Sequence, residues 1–417
     1  MKTMISVRGK RPGGSLIEIQ IRGHKIARVL PAKATRRGRV FGSRDFYVSP
    51  GFIDLQVNGF AGIDVNHPGF DGDDLVPLCK ALLRTGVTRF CPTLITGSEE
   101  RLSRNIQQIA QACEKHPLVQ SMVLGIHLEG PFIASEDGPR GAHPKQYVTD
   151  PDWDQFERLF DLSKGLLKIV TLAPERPGAI EFIRKASKAG LVVAIGHCAP
   201  EPAQIDAAVE AGAVLSTHLG NGAHQVLPRH ANYIQKQVSN DGLRASVICD
   251  GIHLPDYFVK NLVRAKGITR TILVTDAMAA AAASAGLFTL GDLEVEVGEE
   301  RVVRLPGTPY LAGSALTMDE AVSNCASFAK ISLTAAIQMA TVNPARLFKG
   351  IRGALEPGER ADLVLFSLLK KRIQVEQVFL AGKVVFSLRP FSVEEDGENS
   401  SSQGKGRLPH RSGRKRG

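Results

Sequence analysis

Four residues of this chain have the types and placing for hydrolytic chemistry: Glu129, His197, His218 and Asp276. Two imidazoles and a carboxylate that leave a fourth position open form a catalytic zinc-type ligand set. Asp276, in the run VTDAM, then takes the place of general base. A carboxylate beside a cation has its pKa lowered, stays ionised at neutral pH and can take a proton from water. Taken singly, His197 or His218 is as readily a hydrogen-bonded core histidine; it is the set that points to metal. His127, two residues before Glu129, reads as a packed or supporting group. Cys198 follows His197 directly and is expected to face away, because successive strand residues point to opposite sides.

Residues so far apart in sequence can meet only if the fold gathers strand ends. Eight short, nearly continuous apolar runs occur at 51–59, 87–94, 122–130, 166–174, 191–199, 213–221, 244–253 and 269–278. Helical patterns fall between them at 73–85, 99–115, 178–189, 202–211 and 255–266. Buried strands alternating with helices imply a parallel sheet covered on both faces. A doubly wound sheet fits that count as well. The polar residues decide for an α/β fold of the (β/α)8 TIM-barrel type, since the runs end in Gln56 and Asn58, Thr93, Glu129, Glu175, His197, His218, Asp250 with His253, and Asp276. Barrel enzymes build their sites at that end of the strands.

Residues 4–48 and 353–388 instead alternate apolar and polar, as half-buried strands do. The expected organisation is a small β-sandwich domain built from both chain ends (1–50 and 349–390), a hydrolase barrel over 51–348, and a disordered basic tail over 391–417. Within the barrel segment, a hairpin insertion is expected at 287–305 and helices at 317–329 and 333–347. The Ala-rich stretch 279–286 fits either a mobile flap or a short helix.

The 417 residues are 43% hydrophobic, which excludes wholesale disorder. No run of about 18 uncharged apolar residues suggests a membrane span, and the N-terminus lacks the apolar core of a secretory signal. Six cysteines without CxxC pairing fit reduced thiols in a cytoplasmic protein. The net charge of +10 hints at a polyanion partner. Residues 1–44, however, hold twelve Lys/Arg against the single acid Glu18, and residues 394–417 hold six against four. The intervening body sums to −3. With no nucleic-acid-binding pattern, nucleic acid is not the expected partner, and neither is a membrane.

The motifs HLEGPF (127–132), GAHP (141–144), GHCAP (196–200), THLGN (217–221), DGIHL (250–254), VTDAM (274–278) and LAGSALTMDEAV (311–322) occur in that order. Together they resemble the amidohydrolase superfamily, and within it the N-acetylglucosamine-6-phosphate deacetylase family, over roughly residues 50–388. The resemblance implies hydrolysis of the acetamide of an N-acetylated amino sugar phosphate, in amino sugar catabolism or recycling. It implies Glu129, His197 and His218 as ligands of one divalent metal: zinc first, with iron, manganese or cobalt as alternatives. It further implies Asp276 as the acid–base carboxylate and His143 as the group that polarises the acetamide carbonyl. Arg229 and His253 fall at the family's phosphate contacts, and Asn221 with Gly222 at its sugar-phosphate loop. The family's site is often completed across a homodimer. Many superfamily members carry His-x-His where Gln56 and Asn58 stand; amides are poor ligands for zinc-like ions, so one metal per site and contacts to substrate are expected there.

The loop 220–237 departs from the family pattern: Gly222 and Ala223 follow Asn221, and His230 follows Arg229. His224 and His230 are equally well substrate contacts or solvated loop histidines. Two other functions stay open at this level. One is a related amidohydrolase acting on a different N-acyl amino sugar or a cyclic amide. The other is a non-catalytic barrel that binds a polyanion through basic termini.

Overall fold

The structure, a computed structural model, describes residues 4–32, 40–308 and 310–389. The expected basic tail at 391–417 lies outside the described residues. The eight apolar runs each contain a strand: β1 (Phe52–Val57), β2 (Val87–Ile95), β3 (Ile126–Glu129), β4 (Leu167–Leu172), β5 (Val192–Ile195), β6 (Ala213–Ser216), β7 (Arg244–Ile248) and β8 (Thr271–Val274). Each pairs in parallel with the next, in chain order from β1 to β8. Both faces of these strands are buried, which is why they read as unbroken apolar runs.

The barrel closes without a ladder. The last residue of β1 is joined to the chain just beyond β8 by the bridge Val57–Ala277, and Asn58 N–H donates to Ala277 C=O at 2.7 Å. Lower down, the Asp54 carboxylate replaces a ladder, accepting from Thr275 N–H at 3.2 Å and Thr275 Oγ1 at 2.6 Å. Burial pushes the Asp54 carboxyl up to about 7, against these hydrogen bonds.

The helices between the strands follow their local signals. In Glu99–Lys115, Ser98 caps the N-terminus by accepting from Arg101 N–H, and Glu99 and Glu100 occupy the first turn. Leu102, Ile106, Ile109 and Cys113 form its buried stripe. The helix expected over 333–347 splits into Leu333–Met339 and Val342–Ala345. Pro344 has no N–H to return to Ala340 C=O, and that carbonyl instead accepts from Ile53 N–H of β1 at 2.8 Å.

The chain ends pair into one seven-stranded mixed sheet, in the order Lys383–Ser387, Arg372–Leu380, Leu363–Leu369, Val40–Pro50, Met4–Lys10, Leu16–Arg22, Lys25–Pro31. It curls so that its far ends meet: Ile26 N–H donates to Glu359 C=O and Ala361 N–H to His24 C=O, each at 2.9 Å, and Ile21 and Ile26 share a core with Leu363 and Phe379. The expected sandwich is thus a single sheet folded over itself. Strand periodicity shares out its side chains: Leu363 and Leu365 fill the sheet's own core, while Val364 and Phe366 join the barrel core.

The insertion is a three-stranded antiparallel sheet, Gly286–Leu290, Leu293–Val297 and Val303–Arg304. The Ala-rich stretch before it forms turns and no helix, and its first three residues are packed. Ala279, Ala280 and Ala281 are buried, and their carbonyls at 279 and 281 accept from Gly62 and Ala61 N–H. Only small side chains permit that approach of backbone to backbone. Among the described residues no helix is long and apolar enough to cross a membrane.

Candidate active site

Asn58 directly follows β1, Glu129 ends β3, and His197, His218 and Asp276 each stand two residues past β5, β6 and β8. All five, with His143 from the loop after β3, border one cavity of about 360 Å³. His197, His218 and Asp276 have φ of +50°, +31° and +52°. Non-glycine residues reach this left-handed region at a cost, and such strain gathers at functional sites. Here it turns three side chains inward where the strands would otherwise run on.

Glu129 Oε1 lies 2.9 Å from His218 Nε2 and 3.3 Å from His197 Nε2, and the two Nε2 atoms are 3.1 Å apart. Ligands at 2.0–2.2 Å around a tetrahedral cation stand about 3.4 Å from one another, so this triangle fits a single ion. Glu129, His143 and His197 also present ligand atoms within 4.8 Å of one another. The triangle through His218 is the tighter set, and His143 stands beside it. The Pro139 carbonyl meets His197 Nδ1 at 2.9 Å; a carbonyl only accepts, so Nδ1 carries the proton and the Nε2 lone pair faces the centre. Behind the ring, Gly222 leaves no room for a side chain: a Cβ there would lie 2.7 Å from His197 Nδ1.

Burial raises the Glu129 carboxyl, but hydrogen bonds from His197 and His218 outweigh it and hold the group well below its ordinary value. Burial lowers His218, and Glu129, through hydrogen bond and charge, more than reverses this. His143 is held well below its ordinary value by burial, then by the neighbouring His197, and so is neutral. Its Nδ1 lies 2.8 Å from Thr96 Oγ1. Burial and the charge of Glu129 push Asp276 up to about 6, and its Oδ1 accepts from Asn58 Nδ2 at 2.7 Å. A cation held by Glu129, His197 and His218 would act in the opposite direction, favouring the ionised form that takes a proton from water.

Gln56 sits behind the ligand set, donating through Nε2 to Glu129 Oε1 at 2.9 Å. Asn221, Gly222 and His253 line the cavity, and His253 Nδ1 is held 2.6 Å from Asp250 Oδ2. Arg229 is exposed and does not border the cavity of this chain. His224 does border it, tied to Tyr233 Oη through Nδ1 and to Glu136 through Nε2, whereas His230 is exposed. The other strand-end candidates are structural. Thr93 accepts from Val57 N–H, and Glu175 accepts from Ala199 N–H. His127 is buried between the Leu55 carbonyl and Thr171 Oγ1, and Cys198 lies against Gln237.

The residues that sequence reasoning missed are Thr96 behind His143, the Pro139 carbonyl behind His197, and Leu290, Tyr310 and Leu311 on the cavity wall. Thr96 follows Thr93 by three residues in the same strand-end run and is the only one of these with a local signal.

The chain belongs to the amidohydrolase family, whose pattern matches residues 47–385. That family is metal-dependent, and the buried Glu129, His197 and His218 donors fit one ion. N-acetylglucosamine-6-phosphate deacetylase of Bos taurus is 34% identical over 357 residues, covering 82% of this chain and 84% of that one. N-acetylgalactosamine-6-phosphate deacetylase of Escherichia coli O157:H7 is 33% identical over 338 residues, covering 80% and 86%. The N-acetyl-D-glucosamine-6-phosphate deacetylase of Mycobacterium smegmatis, solved as a substituted form in complex with N-acetyl-D-glucosamine-6-phosphate, superposes with a TM-score of 0.82 at 29% identity, covering 93% of this chain and all of that one.

Proposed function

We propose that this protein hydrolyses the acetamide of N-acetyl-D-glucosamine 6-phosphate to glucosamine 6-phosphate and acetate, in amino sugar catabolism or recycling. The observation that carries this reading is the placing of Asp276, held by Asn58, beside the Glu129/His197/His218 triangle in one cavity. Those three donors would hold one divalent ion, zinc first given two nitrogens and an oxygen, with iron, manganese or cobalt as alternatives. When bound, that ion supplies Lewis-acid polarisation of water and of the acetyl carbonyl.

The chain's own groups do the rest. Asp276 takes a proton from water as the water oxygen bonds to the acetyl carbon. Neutral His143, backed by Thr96, donates from Nε2 to the carbonyl oxygen as it gains charge. Asp276 then returns the proton to nitrogen as the C–N bond breaks, leaving amine and acetate.

His253, oriented by Asp250, together with Asn221 and Gly222, forms the proposed seat for the sugar phosphate. Arg229 belongs to the same seat in this proposal, reaching it in the neighbouring copy of a homodimer, which its exposure on the 220–232 loop supports. Six unpaired, buried cysteines support a cytoplasmic setting. The Escherichia coli relative favours N-acetylgalactosamine 6-phosphate as a second substrate reading.

Acetate release by zinc-loaded protein from both sugar phosphates and from unphosphorylated N-acetylglucosamine tests the proposal. The phosphorylated gluco sugar is expected to lead. Equal turnover of the unphosphorylated sugar overturns the phosphate seat, and no release from any of them overturns the deacetylase reading.

A further inference from the structure

Asn58 is 2% exposed and is fixed on every side but one. Its backbone N–H donates to Ala277 C=O at 2.7 Å, and its carbonyl accepts from Val65 N–H at 3.1 Å. Its Nδ2 donates to Asp276 Oδ1 at 2.7 Å, so turning the carboxamide over would set two acceptors against each other. The amide oxygen therefore has a defined position. It is buried, has no partner among the described residues, and belongs to a side chain that borders the cavity. An acceptor left so in a pocket is costly until a donor arrives. Asp276, which Nδ2 already meets, is an acceptor when ionised and cannot supply one.

We propose that Asn58 Oδ1 accepts the N–H of the scissile secondary amide, so that one carboxamide grips both the leaving nitrogen and the acid that protonates it. This rests on the deacetylase reading. An N-acetyl group carries one donor, its N–H; its carbonyl oxygen is an acceptor and belongs with His143. When water adds to the acetyl carbon, the nitrogen loses conjugation and gains a lone pair. With its N–H held on Asn58, that lone pair is turned towards Asp276, whose Oδ2 is not used by Asn58. The proton that Asp276 took from water passes to nitrogen, the C–N bonding pair goes with it, and the amine departs with both hydrogens. The second water proton leaves with acetic acid, which ionises. Asn58 is thus a catalytic residue with two contacts, one of which can be tested apart from the other.

The test compares N-acetylglucosamine 6-phosphate with its oxygen counterpart, 2-O-acetylglucose 6-phosphate, which lacks the N–H. The amide depends on Asp276 as acid more than the ester does, so the amide-to-ester ratio of Asp276→Glu, which displaces the acid and keeps Asn58, sets the baseline; only the amide can use Asn58 Oδ1. In metal-loaded Asn58→Ala, kcat/KM is expected to fall about tenfold further for the amide than for the ester beyond that baseline. Falls that differ by no more than the baseline overturn the proposal and leave Asn58 acting only through Asp276. Metal content and Tm are measured alongside. If Asn58→Ala fails to fold or to hold metal, Asn58→Val, which also lacks an acceptor, reads the same ratio with the same two outcomes. A wild-type protein inactive on the amide counts against the deacetylase reading itself, whereas an active wild type with a ratio at the baseline counts against Asn58 alone.

Discussion

Gln56 Nε2 donates to the same Glu129 oxygen that His218 Nε2 meets, each at 2.9 Å. Where an imidazole would bring a second ion, this amide steadies the carboxylate of the first. Gln56→Ala is expected to weaken metal affinity by about 10- to 100-fold. Competition against a chromophoric chelator measures this, and metal analysis of the native protein is expected to find one ion per chain. Two tightly held ions would overturn the supporting role.

Asp276→Asn keeps the shape of the acid–base group and removes its proton chemistry. Its kcat should drop by about 10²- to 10⁴-fold with metal content unchanged. Acetate release and metal analysis on one preparation separate the two effects. A variant that turns over normally would require another base.

Gly222→Ala is expected to damage the metal centre from behind. The added Cβ would crowd His197 Nδ1 at 2.7 Å, and the residue's φ of +56° disfavours any side chain. Loss of metal affinity, rather than a raised KM alone, is the expected signature in a zinc titration.

A pH test follows from Asp54, whose carboxyl burial raises from 3.8 to about 7. Between those values the folded protein binds more protons than the unfolded chain, so Asp54 costs stability progressively as pH rises from about 4 to 7. Asp54→Asn mimics the protonated acid and escapes that cost. Its Tm relative to wild type should climb across that window and level off above it. A difference that stays flat, or falls, would mean the group titrates elsewhere.

If Arg229 serves the site of a second copy, two crippled proteins can rescue each other. Arg229→Ala and Asp276→Asn subunits, mixed and reassembled, should recover about a quarter of wild-type activity, because each hybrid dimer holds one intact site. No recovery despite subunit exchange would place Arg229 on its own chain's site.

The barrel was legible in sequence because buried parallel strands are apolar on both faces, so that runs such as LVVAIGHCA stand out against their neighbours. The ligand set was legible because Glu129, His197 and His218 end those runs. Thr93 and Glu175 end runs as well, yet they brace backbone N–H groups; strand-end position alone does not tell a brace from a ligand. The Pro139 carbonyl that sets the His197 tautomer has no side-chain signature at all. Leu290 reaches the cavity through the way the insertion packs with Ile95 and Met278, a tertiary fact with no local pattern. The split of the helix at Ala340 did have a local signal in Pro344, but its outcome depended on Ile53 waiting with a free N–H.

The junction of β1 and β8 divides the site into two halves that are held by different means. Glu129, His197 and His218 come from strands in the middle of the chain, laced to their neighbours by continuous parallel pairing. Asn58 and Asp276 lie 218 residues apart in sequence and meet across the one junction that a single bridge and a buried aspartate hold shut. Opening of that seam would part Asn58 from Asp276 while the strands that carry Glu129, His197 and His218 stay paired to their neighbours.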